Sequence, residues 1–206
     1  MSLTIEEVYN KIATHFDHTR YNIWKSVKKF LNTLDVGSKV LEIGCGNGKN
    51  MLYRNDLHFT GIDISQAQVD ICKSKYLDVS KSNMTSLDFD NNSVDSIICI
   101  ATYHHLDNDI DRGLALDEMY RVLKVGGKVL LTVWAIEQEI NSNFTFYNSD
   151  TMVPWKSRDD GNIYYRYYHI YKKGELMEEI SRLCPLFKIG DAVWDLGNWS
   201  VVLEKI

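Results

Sequence analysis

The chain has 206 residues, 45% of them hydrophobic and 25% charged, with a formal net charge of −5. That length suits one domain able to bury a core without metal or disulfide support, and no apolar run approaches the roughly 20 residues of a membrane helix. The acidic balance argues against a surface that grips nucleic acid everywhere, so any basic face must be local or supplied by a partner.

The N-terminus, MSLTIEEVYN, is acidic and amphipathic and lacks the basic segment and apolar core of a signal peptide. IEEVYNKIATHFDHTR carries apolar residues at Ile5, Val8, Ile12 and Phe16, a helical stripe. NIWKSVKKFLNTL repeats it through Trp24, Val27, Phe30, Leu31 and Leu34. SKVLEIGCG reads as a short buried strand ending in a glycine turn, FTGIDIS as a second strand, and QAQVDICKSK as a helix. A strand between Tyr76 and Met84 is weakly written, whereas SVDSIICIAT is a clear one. LDEMYRVLKVGG predicts a helix closed by a glycine pair, followed by the strand KVLLTVWA. Ala135 to Asn162 shows no periodicity, and loops of that length are usually functional or disordered. GELMEEISRLC predicts a last helix, and FKIGDAVWDLGNWSVVLEKI two strands joined at DLGN. The four cysteines, Cys45, Cys72, Cys99 and Cys184, are scattered, without a CxxC pair or histidines at zinc spacing. Reduced thiols, no metal site and a cytoplasmic location that could extend to the nucleus are expected. Strands alternating with helices imply a mostly parallel sheet covered on both faces, with the terminal hairpin adding an antiparallel strand.

The most informative segment is VLEIGCGNGKN, in which Glu42 ends a strand and Gly44, Gly46 and Gly48 alternate behind it. Glycines suit places where backbone turns sharply and approaches a ligand. The E-x-G-x-G-x-G spacing differs from the dinucleotide fingerprint and resembles the first motif of class I methyltransferases that use S-adenosylmethionine (AdoMet). That resemblance implies an α/β, Rossmann-like, doubly wound and mostly parallel seven-stranded sheet with an antiparallel C-terminal strand. A single domain over residues 1–206 is expected, with N-terminal helices at 4–34 covering the site. Glu42, Gly44, Cys45, Gly46 and Gly48 become cofactor-binding candidates. Asp63 ends the next strand, where its two carboxylate oxygens could accept both ribose hydroxyls; capping the following helix is its alternative role. Ile64 would lie along the adenine. In SNMTSLDF, Asn83 stands where the family has an acid, with Met84 following, and Ala101 and Thr102 would face the methionine part.

A narrower resemblance spans Val8 to Lys205. VYNKIATHFDHTRYNIWKSVKKFL, TYHHL, MVPWK, RYYHIYKKGEL and WDLGNWSVVLEK occur in this order. Together they are similar to the eukaryotic tRNA wobble-uridine carboxymethyl methyltransferases, the family that includes the methyltransferase domain of an AlkB homologue. The resemblance implies esterification of 5-carboxymethyluridine in the tRNA anticodon loop, and a small zinc-binding activator protein as heterodimer partner. Such a partner could cover the hydrophobic edge around LHFTGIDI and QVDICKSKYL. A small-molecule O- or C-methyltransferase and a non-catalytic scaffold are the competing readings.

A carboxylate nucleophile is already ionised at neutral pH, so the chemistry asks for orientation rather than a base. Arg20, His104, His105, Trp134, Arg166, Tyr167 and His169 are the candidates for the substrate site. Each has a structural alternative: an Arg20–Asp17 ion pair, loop capping by the histidines, core packing by Trp134. Five of the twelve tyrosines fall between Tyr164 and Tyr171. As a strand, Tyr164, Arg166, Tyr168 and Ile170 share one side, with Tyr165, Tyr167, His169 and Tyr171 opposite. Neither side is purely apolar, which favours a substrate surface partly buried as support. Lys172 and Lys173 offer backbone contacts, and Trp155 with Lys156 forms either a lid or a tRNA contact, or else belongs to a surface loop anchored by the indole.

Overall fold

A computed structural model describes residues 3–206. The chain enters through α1 (Ile5–Thr19), started by a capping box in which Thr4 accepts from the Glu7 amide and Glu7 accepts from the Thr4 amide. A short α2 (Lys25–Leu31) follows, then β1 (Lys39–Ile43), β2 (His58–Asp63), α3 (Gln66–Ser74), β3 (Val79–Lys81) and β4 (Val94–Ile100). A 3₁₀ turn over Tyr103–His105 leads to α4 (Asp109–Val122) and β5 (Leu123–Trp134). The remainder is β6 (Asp150–Lys156), β7 (Ile163–His169), α5 (Glu175–Leu183), β8 (Phe187–Ile189), β9 (Val193–Asp195) and β10 (Asn198–Lys205).

The main sheet runs β3-β2-β1-β4-β5-β10-β8, with β9 pairing the start of β10. The first five are parallel, and β10 lies antiparallel to β5, β8 and β9. Alternate residues serve opposite faces. Leu41, Ile43, Ile97, Cys99 and Leu131 share a core with Leu116 and Met119 of α4 and Ile180 of α5. Val40, Ile98 and Leu130 meet Val27, Phe30 and Leu31 of α2. The chain order reverses at β1, which pairs with β2 on one side and β4 on the other. That reversal opens a crevice beyond the carboxyl ends of β1 and β4, where doubly wound sheets bind ligands.

Four expectations change. The sheet has eight strands rather than seven, because the C-terminal segment breaks at Gly190–Ala192 into β8 and β9 before β10. The DLGN turn does join two strands, with Leu196 at φ 47° and Gly197 at φ 76°, the paired positive angles of a tight hairpin. The glycine pair does not close α4: Leu123 is already extended, and Gly126 and Gly127 lie inside β5. A Cβ on Gly127 would stand 2.8 Å from the Asp95 carbonyl oxygen, so strand packing explains that glycine. The aperiodic stretch contains β6, which pairs antiparallel with β7 as a separate two-stranded sheet. Its alternation is real, with Val153 and Trp155 buried and Met152 and Pro154 exposed, but a proline within the run hides it. Finally, α2 packs on the sheet, so it is α1, the two residues before it and the 20–24 connection that reach the crevice.

Candidate active site

A cavity of ≈ 900 Å³ opens at the crevice. The loop after β1 forms its floor, with Gly44, Gly46 and Gly48 at φ 67°, 54° and 74°. These left-handed angles exclude most other residues, but the spatial reason for each glycine differs. A Cβ on Gly44 would stand 2.2 Å from the Thr102 side chain, and one on Gly48 would stand 2.3 Å from Leu77. Those two glycines are required by protein packing, and Gly48 is absent from the cavity wall. Gly46 faces the cavity beneath Phe16. The Cys45 amide donates to the Ile62 carbonyl at 2.9 Å, and the Gly46 amide to Asp63 Oδ2 at 2.9 Å, which tie the loop to β2.

Asp63 Oδ1 accepts from the Ser65 amide at 2.9 Å. Ser65, not Asp63, caps α3, accepting from the Gln68 amide. Asp63 is therefore held by two backbone donors at the cavity wall, each oxygen keeping a further lone pair. Burial raises its pKa against those hydrogen bonds.

Glu42 is buried, its Oε1 accepting from Asn50 Nδ2 at 2.7 Å while Oε2 has no partner. Burial pushes its pKa from the ordinary 4.5 up to about 8. Asn50 Oδ1 is likewise buried without a partner, and both residues line the cavity. Ile64, Asn83, Met84 and Ala101 line it too. Asn83 Oδ1 accepts from the Thr85 amide, and Ala101 adopts φ 54°, an angle costly for a residue with a Cβ.

These residues fit AdoMet. The orphaned oxygens of Glu42 and Asn50 suit its ammonium, Asp63 suits the ribose diol, and the Ile64 and Asn83–Met84 walls suit adenine. A pH dependence follows. Between about 4.5 and about 8 the folded chain keeps a proton on Glu42 that the unfolded chain has lost, so this group's contribution to stability falls as pH rises. A cationic ligand favours the ionised form and releases that proton. AdoMet affinity measured by calorimetry should rise about fiftyfold from pH 6 to pH 8 and level off above that. Glu42→Gln should bind weakly at every pH, without that rise; a rise retained in the variant would assign it to another group.

Over the floor lies α1. Asn10 Oδ1 accepts from Ser65 Oγ at 2.8 Å and from the Ala67 amide at 3.1 Å, and Asn47 Nδ2 donates to Asp17 Oδ1 and the Arg20 carbonyl. Lys75 takes the remaining pairing of Asp17 at 2.6 Å. The anticipated alternative for Arg20, an ion pair with Asp17, is thus not formed. Its guanidinium lies against Phe16 and Trp155, 5.6 and 5.3 Å from the ring centroids. Arg166, buried on β7, approaches Trp155 to 5.0 Å and Tyr168 to 5.2 Å. Neither arginine meets a carboxylate among the described residues, and Arg166 Nε has no partner. Burial and the Arg166 charge lower the Arg20 pKa. Both line the cavity, so two guanidiniums face one space with no anion between them. Trp155 is neither lid nor surface anchor: it is buried beneath them, donating from Nε1 to His15 Nδ1 at 3.1 Å.

The histidines separate. His105 lines the cavity. Its Nδ1 donates to the Tyr167 carbonyl at 2.7 Å, which leaves Nε2 to accept from the Tyr9 hydroxyl at 2.9 Å. Desolvation holds its pKa down at about 3, so it is neutral at physiological pH. His104 is fully buried behind it, accepting from the Trp134 amide at 3.1 Å, and is absent from the wall. His169 is also absent, with its ring nitrogens 2.8 and 2.9 Å from Asp150 and Glu175. Each correction has its own reason: His104 is enclosed against the end of β5 through the Trp134 amide, and His169, at the end of β7, is drawn away from the cavity by Asp150 and Glu175. Tyr167 lines the cavity and donates to Asp150 at 2.5 Å. Trp134 does both things weighed for it, lining the cavity while packing on Tyr168 at 4.6 Å.

Sequence reasoning missed Tyr9, Asn50, Lys49 and Phe16, which line the cavity from segments read only as helical stripe or glycine loop. Tyr9 sits one position beyond Val8 of that stripe, and nothing local distinguishes it from a surface tyrosine. Asn50 carried a weak signal as the last residue of the glycine segment.

A methyltransferase-domain family model matches residues 41–131, the span from β1 into β5. The tRNA (carboxymethyluridine(34)-5-O)-methyltransferase of Schizosaccharomyces pombe is 36% identical, the alignment covering 98% of this chain and 96% of that protein. A Xenopus tropicalis protein of the same name is 30% identical over 98% of this chain, which spans only 41% of its length. Among solved structures, a putative methyltransferase from a complex with the Haloferax volcanii Trm112 activator superposes with TM-score 0.68 at 16% identity, covering 98% of this chain and 97% of that one. That likeness bears on the fold, which is the class I methyltransferase arrangement expected above. With near-complete mutual coverage by the fission-yeast relative, the chain belongs to the tRNA (carboxymethyluridine(34)-5-O)-methyltransferase family.

Proposed function

We propose that this protein transfers the methyl group of AdoMet to the carboxylate of 5-carboxymethyluridine at the tRNA wobble position, forming the methyl ester. The observation that carries the reading is the pair of guanidiniums, Arg20 and Arg166, lining the cofactor cavity without a carboxylate partner among the described residues. A planar carboxylate is the anion their geometry suits.

AdoMet held by Glu42, Asn50 and Asp63 would supply an activated methyl carbon for the carboxylate oxygen, its sulfur keeping the carbon–sulfur bonding pair and leaving as a neutral thioether. No proton moves, which suits a site whose one cavity-lining histidine is neutral and committed at both nitrogens. The arginines hold the carboxylate and leave one oxygen lone pair free for attack. Trp134, partly exposed on the cavity wall and backed by Tyr168, offers a ring on which a splayed base can stack. Tyr9 is held by His105 and fixes the wall beside Arg166.

The proposed partner is a small zinc-binding methyltransferase activator. β3 covers only the Gly61–Asp63 end of LHFTGIDI, so the free edge on this side is made by β3 together with His58–Thr60 of β2. Tyr76 precedes β3 and is 99% exposed at φ 61°. An exposed aromatic next to an unpaired strand edge suits strand addition by a second chain.

The test is transfer of labelled methyl from AdoMet to tRNA carrying wobble 5-carboxymethyluridine, with and without the activator. The expected product is a labelled nucleoside whose label is lost in mild alkali, formed only with the activator. AdoMet binding without label in that nucleoside in either case would assign another methyl acceptor.

A further inference from the structure

A second groove of ≈ 370 Å³ adjoins the main cavity and shares Arg20, Tyr21, Asn47 and Lys49 with it. Three cations line it, and a fourth stands beside its Tyr53 wall. Arg20 ends α1, Lys49 follows the glycine loop, Lys75 ends α3, and Lys28 of α2 stands at the rim, 5.7 Å from the Tyr53 ring centroid. Against these, Asp17 is the single carboxylate among the described lining residues, and Lys75 and Asn47 already occupy it. Arg20, Lys28 and Lys49 form no salt bridge; Lys49 Nζ donates to the Asn22 carbonyl at 2.8 Å and lies 5.8 Å from the Trp24 ring centroid. Burial and the Arg20 charge lower the Lys49 pKa, as expected of cations gathered without a counter-ion. A chain of net charge −5 has thus concentrated unneutralised positive charge at one place, continuous with its cavity.

Two aromatic rings complete the groove. Tyr21 is 72% exposed on the ridge common to both cavities, and Tyr53 forms the far wall. Cations tracking a backbone beside exposed aromatic faces are the makings of a single-strand RNA path. The groove is continuous with the main cavity through the four residues they share, so a chain whose base enters the cavity passes over it.

We infer that this groove holds the phosphate backbone of the RNA strand whose base enters the main cavity, with Tyr21 stacking on a neighbouring base. The inference rests on the reading of the substrate as tRNA, and it supplies the local basic face that the acidic composition requires. Lys28 and Lys49 contact phosphates, Arg20 stays with the carboxylate in the main cavity, and Lys75 stays with Asp17.

The test is binding of a fluorescent anticodon stem–loop RNA to the full chain, with and without its activator, at several salt concentrations. Lys28→Glu should weaken binding about tenfold at ~100 mM salt and reduce the slope of log K on log salt by about 0.7. Lys28→Glu/Lys49→Glu should weaken it further. Lys128→Glu, at the amino-terminal end of the β4–β5 pairing, makes the same change in net charge away from the groove and should bind as the unmodified protein does. Melting temperature and AdoMet binding of Lys28→Glu should match the parent, since Lys28 is exposed on its helix. Unchanged RNA affinity in both groove variants, or equal weakening by Lys128→Glu, overturns the inference. Methyl transfer to free 5-carboxymethyluridine, which has no flanking phosphate, separates the two readings. Ester formation with silent groove variants keeps the proposed chemistry and removes the groove. Groove-dependent RNA binding without ester on any substrate keeps the groove and removes the chemistry.

Discussion

Replacing Arg166 with alanine is expected to lower kcat/KM for the carboxymethyluridine substrate by several hundredfold or more, about 3–4 kcal/mol, while AdoMet affinity changes less than about threefold. The reason is burial. Arg166 sits on the inner side of β7 with Nε unpartnered and its guanidinium over the Trp155 and Tyr168 rings, so water cannot replace what it gives a substrate anion. Arg166→Lys tells charge from geometry. Lysine keeps the charge but not the planar fork, and it should recover no more than about a tenth of the lost rate. Arg20→Ala should cost less, since Arg20 is half exposed. Steady-state kinetics alongside AdoMet calorimetry and thermal melting decide the matter. A matching collapse of AdoMet affinity or folding would mean that Arg166 is a packing residue of the aromatic cluster.

The second large effect is on the cofactor. Asp63→Ala should raise the Kd for AdoMet at least about a hundredfold, ~2.7 kcal/mol or more. The carboxylate is asked to do two things at once, receiving the Gly46 and Ser65 amides and presenting lone pairs to the cavity. Alanine leaves both amides without their acceptor and lets the glycine loop move. Asp63→Asn keeps one acceptor oxygen and replaces the other with a donor facing a donor, so it should recover little. Isothermal titration measures this directly; a change within about threefold would show the ribose to be held elsewhere.

How much of this was legible beforehand differs by element. β1, β4 and β10 are short apolar runs buried on both faces, and such runs announce themselves. The glycine segment and Asp63 were readable because strand, turn and acid follow one another along the chain, and contacts between chain neighbours are written locally. β6 was not readable, since Pro154 and a polar start obscure its alternation, and only pairing with β7 makes it a strand. The glycine pair after α4 was misread because a C-cap and a strand-interior glycine look alike until Asp95 is seen beside Gly127.

The site divides in the same way. The residues RYYH could be recognised as a substrate-facing run, but the side of the strand that faces the cavity could not. Packing of β7 against α1 and the 3₁₀ turn buries Arg166 and Tyr168 toward the cavity and turns His169 to Asp150 and Glu175. His104 and His105 are neighbours in sequence, yet one is enclosed and the other lines the wall. Tyr9, Arg20, Lys49, Lys75 and Arg166 come from α1, the glycine loop, α3 and β7, and no spacing rule connects them.

By itself, then, the sequence determined the alternation of strands and helices, the cofactor loop with its acid, and the family. All are carried by residues within one strand–turn–helix unit or by ordered motifs along the chain. Tertiary structure alone decided which cations are left without carboxylates, that Trp155 lies beneath Arg20 and Arg166, and that a net-negative chain has a positive groove. Those are properties of distance and burial, and Coulomb and desolvation energies depend on separation in space rather than along the chain.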